Sequence, residues 1–371
     1  MCRIVNTAIG YMEMQEKWID REKTREAARE RELEKRRVVY IKSDLYPIGA
    51  FLPELEARIS IFDRGFTVGD SVYEYARTYK HKSFQVNEHM DRLFSSLKVL
   101  RMNPGFSKGD FCKLCEELTR QNIPLLEDCE EYNIVWEVTR GEWGWHGRRT
   151  PAPEGMGKPT VIIKNNLNDQ KLCAQAFFTG LHVVTPPGRH ISPECWDPKI
   201  KTYSRLSYVM ADLEARLVDP KATALMLDQF GNLAEETGGN IWIVRDGTLM
   251  TPTERNVLRG QTRNNVINLA KKLNIPVVEQ DLQSWHLYNC DEAFRSSTFP
   301  GPIQPIGIFN GVLIGKELPG PITKRLAEAW SDWVGMDVTG LDRLSVEERS
   351  GLEEDRIKLN VDRSKLVHIP Y

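Results

Sequence analysis

Two residues set the chemistry open to this chain. Lys201 lies in Asp197-Pro198-Lys199-Ile200-Lys201-Thr202-Tyr203-Ser204, just ahead of an apolar helical pattern. Glu235 lies in Leu233-Ala234-Glu235-Glu236-Thr237-Gly238-Gly239-Asn240, just ahead of a β-hairpin pattern. A lysine drawn out of bulk water gives up its proton more readily, and the free amine attacks aldehydes. A buried carboxylate keeps a pyridine nitrogen protonated, so the ring can draw electrons from a reacting carbon. Together they point to pyridoxal 5'-phosphate (PLP) held as a Schiff base on the lysine. Lys199 competes for the role. Lys201 is favoured because a helix starting at Thr202 would aim the preceding side chain inward. Glu235 and Glu236 are neighbours, and alternation in an extended segment sends one inward and one outward. Glu235 is expected inside and Glu236 in solvent, which argues against a paired-carboxylate hydrolase.

A phosphate needs fixed donors and positive charge. Leu258-Arg259-Gly260-Gln261-Thr262-Arg263 runs straight into a helical pattern whose first amides and dipole favour an anion. Ser296-Ser297-Thr298 adds hydroxyl and amide donors on a second turn, and Arg92 offers a guanidinium from the start of a helix expected over 88–100. There is no GxGxxG or Walker motif to suggest a nucleotide instead.

These groups need a scaffold of two domains, since 371 residues exceed one ordinary core. Composition is that of a soluble globular protein, 41% hydrophobic and 27% charged, with a net charge of −2 that gives no reason to expect nucleic acid as a partner. No run is apolar enough for a membrane span or a secretory signal, and seven scattered cysteines suit a reducing cytoplasm. Cys112 and Cys115 form a CxxC, but Phe111, Cys115 and Leu118 read as the inner stripe of a helix rather than as metal ligands.

The spacing predicts a charged amino-terminal helical extension (1–40), an α/β domain (41–180), a linker at 181–190 containing Pro186-Pro187-Gly188, and a larger domain (191–371). Arg58–Phe62 and Val72–Tyr79 read as strands, as do Tyr132–Thr139 and Ala224–Leu227. Asp246-Gly247 reads as a two-residue hairpin turn. A helix over 202–217 carries Leu206, Val209, Met210, Leu213 and Leu217 on one face.

The segments DRGFTVGDSVYEYAR, HMDRLFSSLKVL, DPKIKTYSRLSYVMADLEA, LMLDQFGNLAEETGGNIWIVRDGTLMTP, NVLRGQTRNNVINLAKKLNI and DEAFRSSTFPGPIQPI resemble the class IV (fold type IV) PLP aminotransferases. The first two are closest to the D-amino-acid branch, while LPELEARISIFDRGF, DPKIK and PGPIT are similar to the (R)-selective amine transaminases. The resemblance covers about residues 50 to 335. It implies an α/β (α+β) fold of two domains, the larger around a β-barrel-like core, and a homodimer with its active site at the domain interface. It makes Lys201 the Schiff-base lysine and Glu235 the pyridine partner. Arg92, Gln261, Thr262, Ser297 and Thr298 become phosphate ligands, and Tyr73 stands near the substrate. The Arg-x-His carboxylate trap of the D-amino-acid enzymes is missing, since Trp145 and Gly147 fall there. His146 takes the place of the mobile arginine of the amine enzymes, and Arg148 and Arg149 follow it. Glu236 replaces a usual glycine.

The activity implied is transamination by two half-reactions, from an (R)-amine or D-amino acid to a keto acid such as pyruvate or 2-oxoglutarate. Branched-chain L-amino-acid transamination and an aminodeoxychorismate-type lyase share the same cofactor cradle. A non-catalytic binding module on this fold is the reading from another class, and a visible cofactor absorbance separates it from the enzymes.

Overall fold

The computed structural model describes residues 27–128, 130–142 and 158–352. They divide into a smaller unit, 27–168 with Lys199–Arg205, and a larger one, Asp169–Pro198 with 206–352. The expected boundaries shift accordingly. Leu181–Val184, placed in a linker from its neighbouring prolines, is a strand inside the larger unit's sheet. The chain instead leaves the smaller unit after Asn168 and returns to it for Lys199–Arg205.

The smaller unit is a six-stranded sheet in the order β2-β1-β6-β5-β3-β4. Its strands are β1 (Val38–Lys42), β2 (Ala50–Pro53), β3 (Ser71–Tyr79), β4 (Lys82–Phe84), β5 (Glu130–Thr139) and β6 (Val161–Asp169). The central pair β3 and β5 is antiparallel, with Tyr73 opposite Glu137. Aromatic and β-branched residues give both strands their pleated fit. One face receives the helices Val86–Val99 and Lys108–Asn122, closing a core of Val72, Ala76, Met90, Leu93, Leu97, Phe111, Leu118 and Trp136. Each fully buried Val, Leu, Phe or Met among them contributes about 1.5–3 kcal/mol. Cys115 belongs to this core, and burial pushes its thiol up to about 12. The amino-terminal helix is described from residue 27 and lies on this body. Leu33 is fully buried, and Arg29 donates to Glu130 at 2.8 Å and to the Leu125 carbonyl at 2.7 Å.

Arg58–Phe62 is not a strand. Asp63 ends it by capping the short helix Arg64–Val68, its carboxylate accepting from the Gly65 amide at 2.7 Å and the Thr139 and Thr160 hydroxyls at 2.9 and 2.6 Å. An Asp that can satisfy a helix start wins over the weak strand pattern before it.

The larger unit closes six strands into a barrel. They are β7 (Leu181–Val184), β8 (Thr223–Leu227), β9 (Leu233–Glu236), β10 (Gly239–Arg245), β13 (Glu292–Ser296) and β14 (Ile303–Phe309), with β9 pairing back onto β10. Strands β11 (Thr248–Thr251) and β12 (Val277–Glu279) extend the sheet beyond β10. The β10–β11 turn has Asp246 and Gly247 at φ 49° and 75°, as a two-residue hairpin requires. Val183, Leu225, Leu233, Ile241, Ile243, Ile306 and Phe309 belong to its core. On the opposite side of β10, Trp242 stacks on Phe294 at 5.8 Å. Helices cover that side, so these strands are buried on both faces rather than alternating. One of them, Pro321–Val334, starts at Gly320, which has no side chain to cap it. Glu292 does so from β13, accepting from the Ile322 and Thr323 amides at 2.9 and 2.8 Å.

The helix expected at 202–217 runs from Leu206 to Val218. Its buried residues are the small ones, Ala211 and Ala215, which pack with Val184, Ala222, Ala224 and Met226. The stripe Leu206, Val209, Met210, Leu213 and Leu217 is 49% to 88% exposed and so belongs to no core of the single chain.

Candidate active site

The smaller unit carries Lys201, the expected Schiff-base lysine. Lys201 sits in an extended strap five residues before the helix, not at its start. Side chains tether the strap: the Thr202 hydroxyl donates to the Ser71 carbonyl at 2.7 Å and the Ser204 hydroxyl to the Gly69 carbonyl at 2.8 Å. The Tyr73 amide donates to the Lys201 carbonyl at 2.9 Å. These bonds give the strap backbone partners that a helix there would forgo.

The Lys201 ammonium lies 4.5 Å from the centre of the Tyr73 ring. Tyr203 stacks on Tyr73 at 4.0 Å, and the Arg205 guanidinium donates to the Tyr73 hydroxyl oxygen at 3.2 Å. Burial alone would raise the Tyr73 phenol; the charges of Lys201 and Arg205 and a hydrogen bond from Lys201 outweigh it and bring the phenol below its ordinary value.

Arg92 meets a carboxylate in this structure. Its Nε and Nη2 reach the two oxygens of the fully buried Glu74 at 2.8 and 2.5 Å, and His89 Nδ1 lies 3.0 Å from Glu74 Oε1. Burial opposes the Glu74 charge, but Arg92 and His89 hold its carboxyl well below the usual carboxylate range. Burial, stronger than the pull of Glu74, pushes His89 down.

The larger unit carries Glu235, the expected pyridine partner. Glu235 is 6% exposed on β9. Its Oε1 accepts from the Tyr208 hydroxyl at 3.0 Å and lies 3.3 Å from His190 Nε2. Its Oε2 accepts from the Leu258 amide at 2.9 Å and Asn240 Nδ2 at 3.2 Å. Burial would raise this carboxyl; His190, the Leu258 amide and Tyr208 bring it below its ordinary value. A carboxylate kept ionised in the interior is what a protonated pyridine nitrogen requires.

Glu236 is the correction. It is 1% exposed rather than in solvent. Arg295 Nη1 donates to its Oε2 at 2.9 Å and the Gly238 amide at 2.7 Å. Alternation failed because both faces of β9 are buried, and a buried arginine compensates the second carboxylate.

Gln261 and Thr262 open the helix Gln261–Lys272, whose N-cap is Gly260 with no side-chain cap, and the dipole at such a helix start favours an anion. A Cβ on Gly260 would lie 2.2 Å from Asn240 Oδ1, tying this turn to the Glu235 neighbourhood. The Ser297 hydroxyl donates to the Gly238 carbonyl at 2.7 Å, in the same turn as Thr298. His146, Arg148 and Arg149 lie outside the described residues. Reading the sequence missed Arg205, His190, Tyr208, Asn240, Glu74 and His89. Arg205, Glu74, His89 and Asn240 lie within five residues of Lys201, Tyr73, Arg92 and Glu235 and were within reach of a local pattern, whereas His190 and Tyr208 were not.

A buried, multiply hydrogen-bonded carboxylate and an uncapped helix start fit the two ends of PLP in chemistry, ring nitrogen and phosphate. The family model for amino-transferase class IV matches residues 71–306. A putative branched-chain-amino-acid aminotransferase of Methanocaldococcus jannaschii is 33% identical over 289 residues, covering 78% of this chain and 95% of that protein. A D-alanine aminotransferase of Listeria monocytogenes serotype 4b is 31% identical over 274 residues, 73% of this chain and 89% of its own. Among solved structures, the Escherichia coli branched-chain amino acid aminotransferase matches with a TM-score of 0.72 at 27% identity, covering 82% of this chain and 96% of that one. A second branched-chain amino acid aminotransferase, from T.th. and solved with pyridoxamine 5'-phosphate, matches with the same TM-score of 0.72 at 26% identity, covering 81% and 94%. The chain belongs to the class IV aminotransferases. It is a PLP-dependent transaminase of the type IV fold, with a closed six-stranded barrel in its larger unit.

Proposed function

We propose that this transaminase takes its amino group from an (R)-amine or a D-amino acid and passes it to a 2-keto acid such as pyruvate or 2-oxoglutarate. The observation that supports the reading is the Lys201 ammonium 4.5 Å from the centre of the Tyr73 ring, since by resemblance Tyr73 is the substrate-side tyrosine of the D-amino-acid branch. PLP, when bound, supplies the sink for the electron pair left on the substrate carbon. Lys201 binds the cofactor covalently, and its Nζ carries the proton that leaves the substrate α-carbon. Glu235 keeps the proton on the ring nitrogen. Arg92, Gln261, Thr262, Ser297 and Thr298 hold the phosphate, while one of His146, Arg148 and Arg149 supplies the charge that meets a keto acid.

The test is a donor panel of (R)-1-phenylethylamine, D-alanine and L-leucine, each with pyruvate and 2-oxoglutarate. Turnover of the first two supports the proposal, and turnover of L-leucine alone overturns it. A second reading, branched-chain L-amino-acid transamination, is favoured by the 95% coverage of the Methanocaldococcus jannaschii relative. The same panel decides between them.

We further propose a homodimer. The exposed stripe from Leu206 to Leu217 is an apolar helix face of the kind that a second copy covers. The free thiols of Cys112, Cys115, Cys173, Cys195 and Cys290 support a cytoplasmic location. Among the described residues no helix is long and apolar enough to cross a membrane.

A further inference from the structure

We propose that Arg205 is a positioning residue that keeps the Tyr73 phenol oxygen available as the local acceptor for the proton Lys201 sheds before its amine attacks a carbonyl carbon. This rests on Lys201 being the reactive lysine. The three groups belong to one strap and the strand beside it. The Lys201 carbonyl is bonded to the Tyr73 amide at 2.9 Å, its ammonium stands 4.5 Å from the Tyr73 ring, and Arg205 Nη1 donates to the phenol oxygen at 3.2 Å. A guanidinium does not lose its proton in a protein, so its charge beside that oxygen is permanent. Tyr203, stacked at 4.0 Å, holds the ring in place and directs its own hydroxyl away, donating to Glu137 at 2.8 Å.

The remaining charges around Tyr73 are already matched. Glu137, opposite it on β5, also pairs with Lys164 at 2.7 Å, and Glu74, next to it on β3, is held by Arg92 and His89. Glu74 still opposes ionisation of the phenol, but the charges of Lys201 and Arg205 outweigh it. The transfer balances. One N–H bond of the Lys201 ammonium breaks and one O–H bond forms on the Tyr73 phenolate; cation and anion both become neutral, and Arg205 keeps its charge. A base works best when it ionises near the working pH, and a phenol left alone ionises too high to be an anion there.

The test reads Tyr73 directly in the cofactor-free protein. Ultraviolet tyrosinate absorbance is titrated for wild type and Y73F, and their difference isolates Tyr73. Wild-type Tyr73 is expected to ionise below the ordinary tyrosine value of about 10. R205Q should raise it by about one unit or more, as loss of a charge within a few ångströms does, and R205K should restore most of the effect. In the PLP-loaded enzyme, the acid limb of the kcat profile should rise with it. The proposal is overturned by wild-type ionisation at or above the ordinary value, an outcome that counts even if R205Q fails to fold. It is equally overturned by an R205Q value that does not move or by an acid limb that moves alone. Borohydride trapping of PLP, mapped by peptide mass, checks Lys201 separately: a label elsewhere removes the transaminase site while leaving the Tyr73 titration interpretable.

Discussion

His190 Nε2 and the Tyr208 hydroxyl lie 2.7 Å apart and converge on the same oxygen of Glu235. His190 is held from its other side, where Nδ1 lies 3.1 Å from the Ile191 carbonyl. Removing Tyr208's hydroxyl by Y208F should cost about 1.5–3 kcal/mol, the net contribution of a hydrogen bond to a charged acceptor. H190L should cost at least as much, about 3 kcal/mol, because it strips a buried carboxylate of a charged or polar partner. Urea denaturation measures both. Glu235's folded value is depressed, so its stabilisation is present above the unfolded carboxylate value and is lost as pH falls toward the folded one. H190L raises the folded value, leaving less to lose, and its stability should fall less steeply on acidification. An unchanged slope rules out His190 as the controlling partner.

Lys201 can be truncated without cutting the strap, because its carbonyl and not its side chain accepts the Tyr73 amide. K201A should therefore fold, fail to form a borohydride-reducible link to PLP, and lose at least about 100-fold in turnover. An alanine variant that kept full turnover would falsify the lysine assignment.

The Glu236–Arg295 pair is buried at both ends. Breaking it by E236Q leaves an arginine without its counter-charge, at a cost of about 3–5 kcal/mol. The double replacement E236Q/R295M removes both charges and should cost less than the sum of the single changes. Additive costs in thermal or urea unfolding mean the pair does not act as a unit.

Arg148→Ala or Arg149→Ala should raise the Michaelis constant for keto acids by about tenfold, the worth of a charge-assisted hydrogen bond, and leave that for uncharged amines nearly unchanged. H146A provides the comparison at the neighbouring position. Equal changes for both substrate types remove the carboxylate-binding role.

Leu213→Glu places a charge in the middle of the exposed helix stripe. Sedimentation should show the wild-type chain as a dimer and the variant shifted toward monomer. A monomeric wild type contradicts the dimer directly.

How far the sequence reveals this molecule depends on where each signal is stored. Strands such as Ser71–Tyr79 and Glu130–Thr139 are written in their own aromatic and β-branched residues, and Asp246-Gly247 supplies its turn locally. Glu235 was legible as an inward carboxylate. Its partners His190 and Tyr208 were not, because they lie 45 and 27 residues away with no spacing rule to connect them. Glu236 was misread for the same reason: its compensating Arg295 is 59 residues on. The helix expected from Thr202 gives way to a strap because Ser71 and Gly69, more than 130 residues earlier, offer carbonyls to Thr202 and Ser204. Leu206 to Leu217 have helical periodicity, but periodicity records an apolar face and not what covers it.

The return of the chain for Lys199–Arg205 bears on how this protein can be cut and recombined. A fragment ending at Asn168 would forfeit the seven-residue segment that receives the Tyr73 amide and the donor that reaches the Ser71 carbonyl. A chimera that exchanges the smaller body with a relative needs a second splice around this strap. Done that way, Lys201 and the neighbouring Tyr73 phenol travel together, while the buried Glu235 carboxylate stays with the host.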